Sequence, residues 1–273
     1  MSRTYKRLLS SALAAIMVLS LGLLTSCGRE PDTRIIVAGS TSVQPYAEVL
    51  AEAYHEKHPH ILIDIQGGGS SAGIIAVQNH TAEIGMSSRL LKEDEQGLVV
   101  IEIAKDGLAI IVHPDNPVKN LSLIQLRGIY NQSITSWSQV GGNDAQIHII
   151  AREDGSGTRA AFEEQVMGEA KISPRAIIQD SNGAVHQIVS NDLNAIGFIS
   201  LGLLNIGEQP VKALSLDGVA PTNDSVIIGS YNLARPFLFL IEGEPEGAIL
   251  DFIDFVLSHE GRRILRIEGL VVG

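Results

Sequence analysis

Apolar residues in this chain come in two rhythms, short β-branched runs and longer stretches with helical spacing, and the two alternate from residue 34 onward. Residues 34–38 form a β-rich run ending at Gly39, and 43–57 carry apolar positions at helical intervals. A second strand is predicted over 61–65 and a helix over 73–80. Strands follow over 83–86 and 108–112, the latter stopped by His113-Pro114-Asp115-Asn116-Pro117. Beyond that turn the pattern predicts helices over 121–130, 158–167 and 184–191, and strands over 147–151, 196–200, 226–228 and 237–241. A last helix runs over 250–257, with Asp251 and Asp254 in its early turns, where the helix dipole favours acids. Strands alternating with helices imply βαβ units: an α/β fold with mostly parallel sheets and helices on both faces.

The start of the chain follows neither rhythm. Arg3, Lys6 and Arg7 precede an apolar stretch over 8–24, which ends in Leu24-Thr25-Ser26-Cys27-Gly28. A basic start, an apolar segment and small residues at its end describe a secretory signal. The stretch is near the lower limit for spanning a membrane, but its small residues converge on the only Cys of the chain. That ending resembles the bacterial lipobox, in which the Cys becomes the lipidated first residue of the mature protein. The expectation is a cleaved signal over 1–26, lipidation at Cys27 and a polar tether over 27–33, leaving an exported protein anchored at the outer face of the cell membrane.

Composition changes the picture in one respect. Loss of the signal removes three basic residues and no acidic one, taking the formal charge from −11 to −14. Such a chain has no electrostatic footprint for nucleic acid. It also repels anions in bulk, so any anion site must be attractive locally.

Four predicted strand ends share one composition. They are Gly39-Ser40-Thr41-Ser42, Gly67-Gly68-Gly69-Ser70-Ser71-Ala72-Gly73, Ser87-Ser88-Arg89 and Arg152-Glu153-Asp154-Gly155-Ser156-Gly157-Thr158. Three of them run directly into a predicted helix. The first turn of a helix carries unpaired N–H donors and a partial positive charge, which suits an anion. Gly allows close approach of the backbone, and Ser or Thr adds hydroxyl donors. Ligands of open α/β sheets bind outside the carboxyl ends of the strands, where these loops lie. Together the loops predict an oxyanion site built from dipoles and hydroxyls with one or two fixed charges.

Rival motifs overlap the second loop. Gly69-Ser70-Ser71-Ala72-Gly73 fits the G-x-S-x-G elbow of serine hydrolases, with Ser71 as nucleophile and Asp180 and His186 following in order. That reading leaves the loop over 152–158 without a role. Gly67-Gly68-Gly69-Ser70-Ser71-Ala72 fits a dinucleotide G-x-G-x-x-A, but the next strand ends in Ser87-Ser88-Arg89 instead of a ribose-binding acid. His55-x-x-His58-x-His60 has a metal-like spacing, yet Pro59 interrupts the helix there and no cysteine joins the set. No catalytic set, metal or cofactor is expected.

The loops over 67–73 and 152–159, with Tyr231-Asn232-Leu233-Ala234-Arg235-Pro236, resemble the phosphate-binding receptors of bacterial ABC importers. Ile129-Tyr130-Asn131, Trp137 and Asn194-Ala195-Ile196-Gly197-Phe198 are similar to further stretches of that family, so the resemblance covers the mature chain. It implies a two-lobed periplasmic-binding-protein-like fold with two hinge crossings, closing on a dehydrated phosphate that is handed to a membrane permease. Lobe one would be 34–111 plus 231–273 and lobe two 112–230, with crossings near 110–115 and 226–232. By the same resemblance Thr41, Ser42, Ser70, Ser88, Arg152, Ser156, Gly157 and Thr158 bind phosphate. Ser40, Ser71, Ser87 and Arg89 support them, Arg89 as a second positive charge or the partner of an acid. Asp154 would pair with the site arginine. Many members carry an Asp where this chain has Ser88, and that acid accepts the proton of monohydrogen phosphate and so rejects sulfate. A Ser hydroxyl can still accept. A receptor for sulfate, tungstate or molybdate is the neighbouring alternative.

Overall fold

The computed structural model describes residues 33–273. The expected signal, Cys27 and all but the last tether residue lie outside them. Among the described residues no helix is long and apolar enough to cross a membrane.

Strand β1 (Thr33–Gly39) alternates, burying Ile35 and Val37 beside half-buried Ile36 and Ala38. Helix α1 (Gln44–Lys57) opens with Pro in its first turn and buries Tyr46, Ala47, Leu50, Ala51 and Tyr54, a stripe of helical period against the sheet. Strand β2 (Ile61–Gly67) is parallel to β1. Helix α2 (Ser70–Gln78) starts three residues earlier than its apolar pattern predicts, which draws Ser70 and Ser71 into its first turn. Its N-cap, Gly69, holds φ at 89°, a conformation that favours glycine. Strand β3 (Ile84–Ser87) is buried along its whole length.

The centre of the sheet departs from a parallel arrangement. Strand β4 (Leu98–Val112) is far longer than the predicted run over 108–112. Its first part lies antiparallel to β11 (Ala234–Glu242), and Leu108–Val112 lies antiparallel to β8 (Ala195–Ser200). With β6 (His148–Arg152) and β7 (Ile177–Gln179), the strand order is β2-β1-β3-β11-β4-β8-β6-β7. Of the two-residue strands, β9 (Lys212–Ala213) pairs with β4, and β5 (Asn120–Leu121) pairs with β10 (Ser215–Leu216). Within each half the strands beyond the centre are parallel: β2, β1 and β3 on one side, β8, β6 and β7 on the other. The partner of β4 changes at Gly107/Leu108. The second passage between the halves runs beside it, where Tyr231 Oη donates to the Leu108 carbonyl at 2.8 Å and Leu108 N–H to the Leu233 carbonyl at 2.8 Å.

In the second half, α4 (Gly157–Phe162) continues as a π-turn over Glu163–Met167, and α5 (Asn182–Asn191) precedes β8. Phe162 stacks on Phe198 at 4.2 Å between centroids, with Tyr130 of α3 (Leu123–Tyr130) beside them. The strand predicted over 226–228 is instead the end of a short helix, α6 (Asn223–Ile227). Thr222 Oγ1 accepts from Ser225 N–H, and Ser225 Oγ accepts from Thr222 N–H. This reciprocal cap outweighs the β-branched run, and Ile227 and Ile228 are left 61% and 75% exposed, unlike a central strand. Helices α7 (Gly247–Leu257) and α8 (His259–Ile267) return to the first half. There Phe252 meets Tyr54 edge-on, and Lys57 pairs with Glu260.

Candidate oxyanion-binding site

Loops from both halves meet in one buried polar cluster, at the carboxyl ends of β1, β2, β3, β6 and β7. Ser42 Oγ lies 2.8 Å from Thr158 Oγ1 and accepts from Asn182 Nδ2 at 2.9 Å. Thr41 Oγ1 accepts from Arg152 Nη2 at 3.2 Å. On the other flank, Ser40 Oγ donates to Ser88 Oγ at 3.0 Å, and Ser88 N–H donates to Ser70 Oγ at 3.1 Å. The backbone closes the ring, with Ser71 N–H donating to the Gly155 carbonyl at 3.1 Å. Ser42, Ser70 and Ser88 have no exposed surface. The N-termini of α1, α2, α4 and α5 open on this cluster, so their dipoles add positive potential where the hydroxyls converge.

Arg152 is the fixed charge of the β6 loop, 1% exposed. Glu153 holds it through Nε at 2.9 Å and Nη2 at 2.8 Å, and the Asp180 carbonyl also accepts from Nη2 at 3.1 Å. Its Nη1 is buried without a hydrogen-bond partner. An unpaired charged donor costs more than the roughly 1–3 kcal/mol of a neutral one, so this nitrogen marks where an anionic oxygen fits.

The acid on Arg152 is therefore Glu153, not Asp154. Asp154 stands 92% exposed and pairs with Arg159 at 2.6 Å. The longer Glu153 side chain, adjacent to Arg152, reaches back into the loop while Asp154 turns to solvent. Ser156 Oγ accepts from Arg159 N–H as the cap of α4, and Ser87 Oγ ties down the turn by donating to the Arg89 carbonyl at 2.8 Å. Arg89 is taken by an acid, Glu95, through Nη1 at 2.6 Å and Nη2 at 2.7 Å, and its Nη2 donates to Ser71 Oγ at 3.0 Å. Ser71 thus has an arginine, and neither a histidine nor an acid, on its hydroxyl. His186 lies against Gly207 in the second half, in a separate surface cavity. His55 Nδ1 engages the Ile61 carbonyl and His58 stacks on Tyr54, which occupies both in packing.

The Arg89 hydrogen bonds hold the Glu95 carboxyl below its ordinary value, against a desolvation that opposes them. A depressed carboxylate contributes stability above the unfolded value, and that stability is lost as pH falls through the folded one. Glu95→Gln should therefore melt lower than the parent at about pH 7, and the two curves should approach each other towards about pH 3. A constant gap across a thermal series would rule out this pair as the cause.

A further buried arginine, Arg235, is not among the expected site residues. Arg235 and Asp106 stand directly opposite each other in the β11/β4 ladder, one residue before the change of partner. Asp106 Oδ2 accepts from Arg235 Nε at 3.2 Å and Nη2 at 3.0 Å, and both side chains are 1% exposed. Nη2 also donates to Ser42 Oγ at 3.1 Å and Nη1 to Ser88 Oγ at 3.4 Å. Burial pushes the Asp106 carboxyl up and Arg235 opposes it; burial likewise lowers Arg235, with Asp106 opposing and the Arg152 charge adding to the fall. Asn182 completes the set, linking Ser42 to the Ser200 N–H, which donates to its Oδ1 at 3.1 Å. Arg235 lies in the Tyr231–Pro236 stretch that carries the family resemblance, and Ser181-Asn182 is a helix-start signal. Asp106 has no local signal.

Known proteins share the sequence pattern and the fold. The PBP superfamily domain matches residues 28–260. The phosphate-binding protein PstS of Bacillus subtilis is 32% identical over 230 residues, 83% of this chain and 76% of that protein. The chain belongs to the PstS family of phosphate-binding proteins. Among solved family members, a phosphate ABC transporter substrate-binding protein from Clostridium perfringens with bound phosphate is 43% identical. It superimposes with a TM-score of 0.84 over 88% of this chain and 99% of that one. An ABC-type phosphate transport receptor from Vibrio cholerae is 38% identical, with a TM-score of 0.73 over 88% of this chain and all of that one. The two-lobed fold is shared across them.

Proposed function

We propose that the chain is an extracytoplasmic receptor that captures inorganic phosphate between its two lobes and delivers it to the permease of an ABC importer. It binds and releases its ligand without chemical change. The observation that carries this reading is the buried, unpartnered Arg152 Nη1 among hydroxyls supplied by both halves of the sheet. Thr41, Ser70, Arg152, Gly157 and Thr158 form the ligand-facing set, and Ser42 and Ser88 orient it. The lobes hinge where β4 changes partner at Gly107/Leu108 and where residues 231–233 pass beside it. Opening there separates Thr41 and Ser42 from Arg152, Thr158 and Asn182, and admits the ion. The relatives named above are a phosphate-binding protein and transport receptors for phosphate, which supports the same ligand and route.

Isothermal titration with phosphate tests the site. Arg152→Ala should weaken binding by about 10- to 100-fold through loss of a charge-assisted hydrogen bond, while circular dichroism stays native because Glu153 can rehydrate. Unchanged affinity would sink the assignment. Export through residues 1–26 and lipid anchoring at Cys27 complete the reading, supported by the sequence pattern there. Cys27→Ala should move the protein from the membrane to the soluble fraction; retention in the membrane would remove the anchor.

A further inference from the structure

Asn182 is 1% exposed and opens helix α5, where Ser181 takes the capping role by accepting from Ala184 N–H at 3.2 Å. That leaves the Asn182 amide free to reach other segments. Its Oδ1 accepts from Ser200 N–H at 3.1 Å, and a backbone N–H can only donate, so the orientation of the amide follows. Nδ2 then donates to Ser42 Oγ at 2.9 Å and to Thr41 Oγ1 at 3.4 Å. Both amide protons are spent on hydroxyls of the other half, and none is left for a ligand. These bonds fill acceptor positions, of which each hydroxyl has two. Ser42 Oγ receives Asn182 and also Arg235 Nη2 at 3.1 Å, so its own proton goes to Thr158 Oγ1 at 2.8 Å. Thr158 accepts that proton and keeps its own to give. Thr41 Oγ1 receives Asn182 and also Arg152 Nη2 at 3.2 Å, and it keeps its proton likewise.

We propose that Asn182 is a positioning residue of the site: without touching phosphate, it leaves the Thr41 and Thr158 hydroxyls as donors towards the ion and holds the two halves together around it. The proposal rests on the phosphate reading and deepens it. Arg152 and Thr158 also cross between the halves, but both face the ligand, whereas the Asn182 amide bonds only to protein. Ser200 stands opposite Leu108, where β4 changes partner, so its N–H fixes the amide to the second half. Opening exposes Nδ2 to water and returns the Thr41 and Ser42 hydroxyls to free rotation. The ordering therefore exists only in the closed form, and its loss acts on release instead of capture.

Equilibrium titration with phosphate and chase of labelled phosphate test this on the full chain, Asn182→Ala, Thr158→Val and the double variant. Asn182→Ala should weaken binding by about 10- to 100-fold, through two neutral hydrogen bonds and the donor order they impose. The release rate should carry that factor, with the association rate within about threefold of the parent. In the ligand-free state the amide keeps only its bond to Ser200, so the melting temperature without phosphate should fall by no more than about 4 °C. If Asn182 acts through Thr158, its substitution should cost a factor smaller by about threefold or more in the Thr158→Val background. Equal factors in both backgrounds would overturn the positioning of Thr158. Parent-like release from Asn182→Ala, or a larger fall in the ligand-free melt with release unchanged, would overturn the proposal and leave a phosphate receptor standing. A parent that binds no phosphate would remove the phosphate reading and this inference with it.

Discussion

Gly157→Ala is expected to weaken phosphate binding by about a thousandfold while leaving the protein folded. A Cβ on Gly157 would stand 2.3 Å from Ser70 Oγ and 2.5 Å from Ser88 Oγ, and both atoms belong to the opposite half. Neither hydroxyl is free to swing aside. Ser70 Oγ is tied to Ser88 N–H, and Ser88 Oγ to Ser40 and Arg235. Two overlaps of this kind, at about 1–3 kcal/mol each, fall only on the state in which the halves meet. Separated lobes accommodate the methyl, and alanine at the start of α4 narrows the unfolded ensemble, so the ligand-free melting temperature should hold or rise slightly. Titration calorimetry with phosphate and a ligand-free melt check both parts. Parent-like affinity would mean that the halves do not close against Gly157.

The second large effect is on stability. Asp106→Ala leaves the Arg235 guanidinium buried opposite a methyl group, with its remaining contacts on serine hydroxyls. Removing one member of a buried pair costs about 3–5 kcal/mol, most of it the uncompensated charge that remains. Urea unfolding should report a loss of that size in the variant. A change below about 1 kcal/mol, as for an exposed pair, would show that water reaches Arg235 in the native state.

Much of the binding loops was legible from local composition, because caps, glycines and hydroxyls act within a few residues of one another. Ser40, Thr41, Ser42, Ser70, Ser88, Arg152 and Thr158 do gather in one cluster. What the sequence hid depends on contacts between distant segments. Asp106 and Arg235 are 129 positions apart and meet only through the antiparallel register of β4 and β11. No local period announces that β11 enters the sheet between β3 and β4. The 226–228 run misled for the opposite reason, since three β-branched residues read as a strand until Thr222 and Ser225 cap the turn. Glu153 and Asp154 are adjacent acids, and only side-chain length and direction decide which one faces Arg152.

A crystal structure of the protein grown with phosphate puts the site to its most direct test. One phosphate should sit between the halves, with an oxygen within hydrogen-bonding distance of Arg152 Nη1 and others on Thr41 and Thr158. A phosphate bound elsewhere, with Arg152 Nη1 still unpartnered, would contradict capture at this cluster.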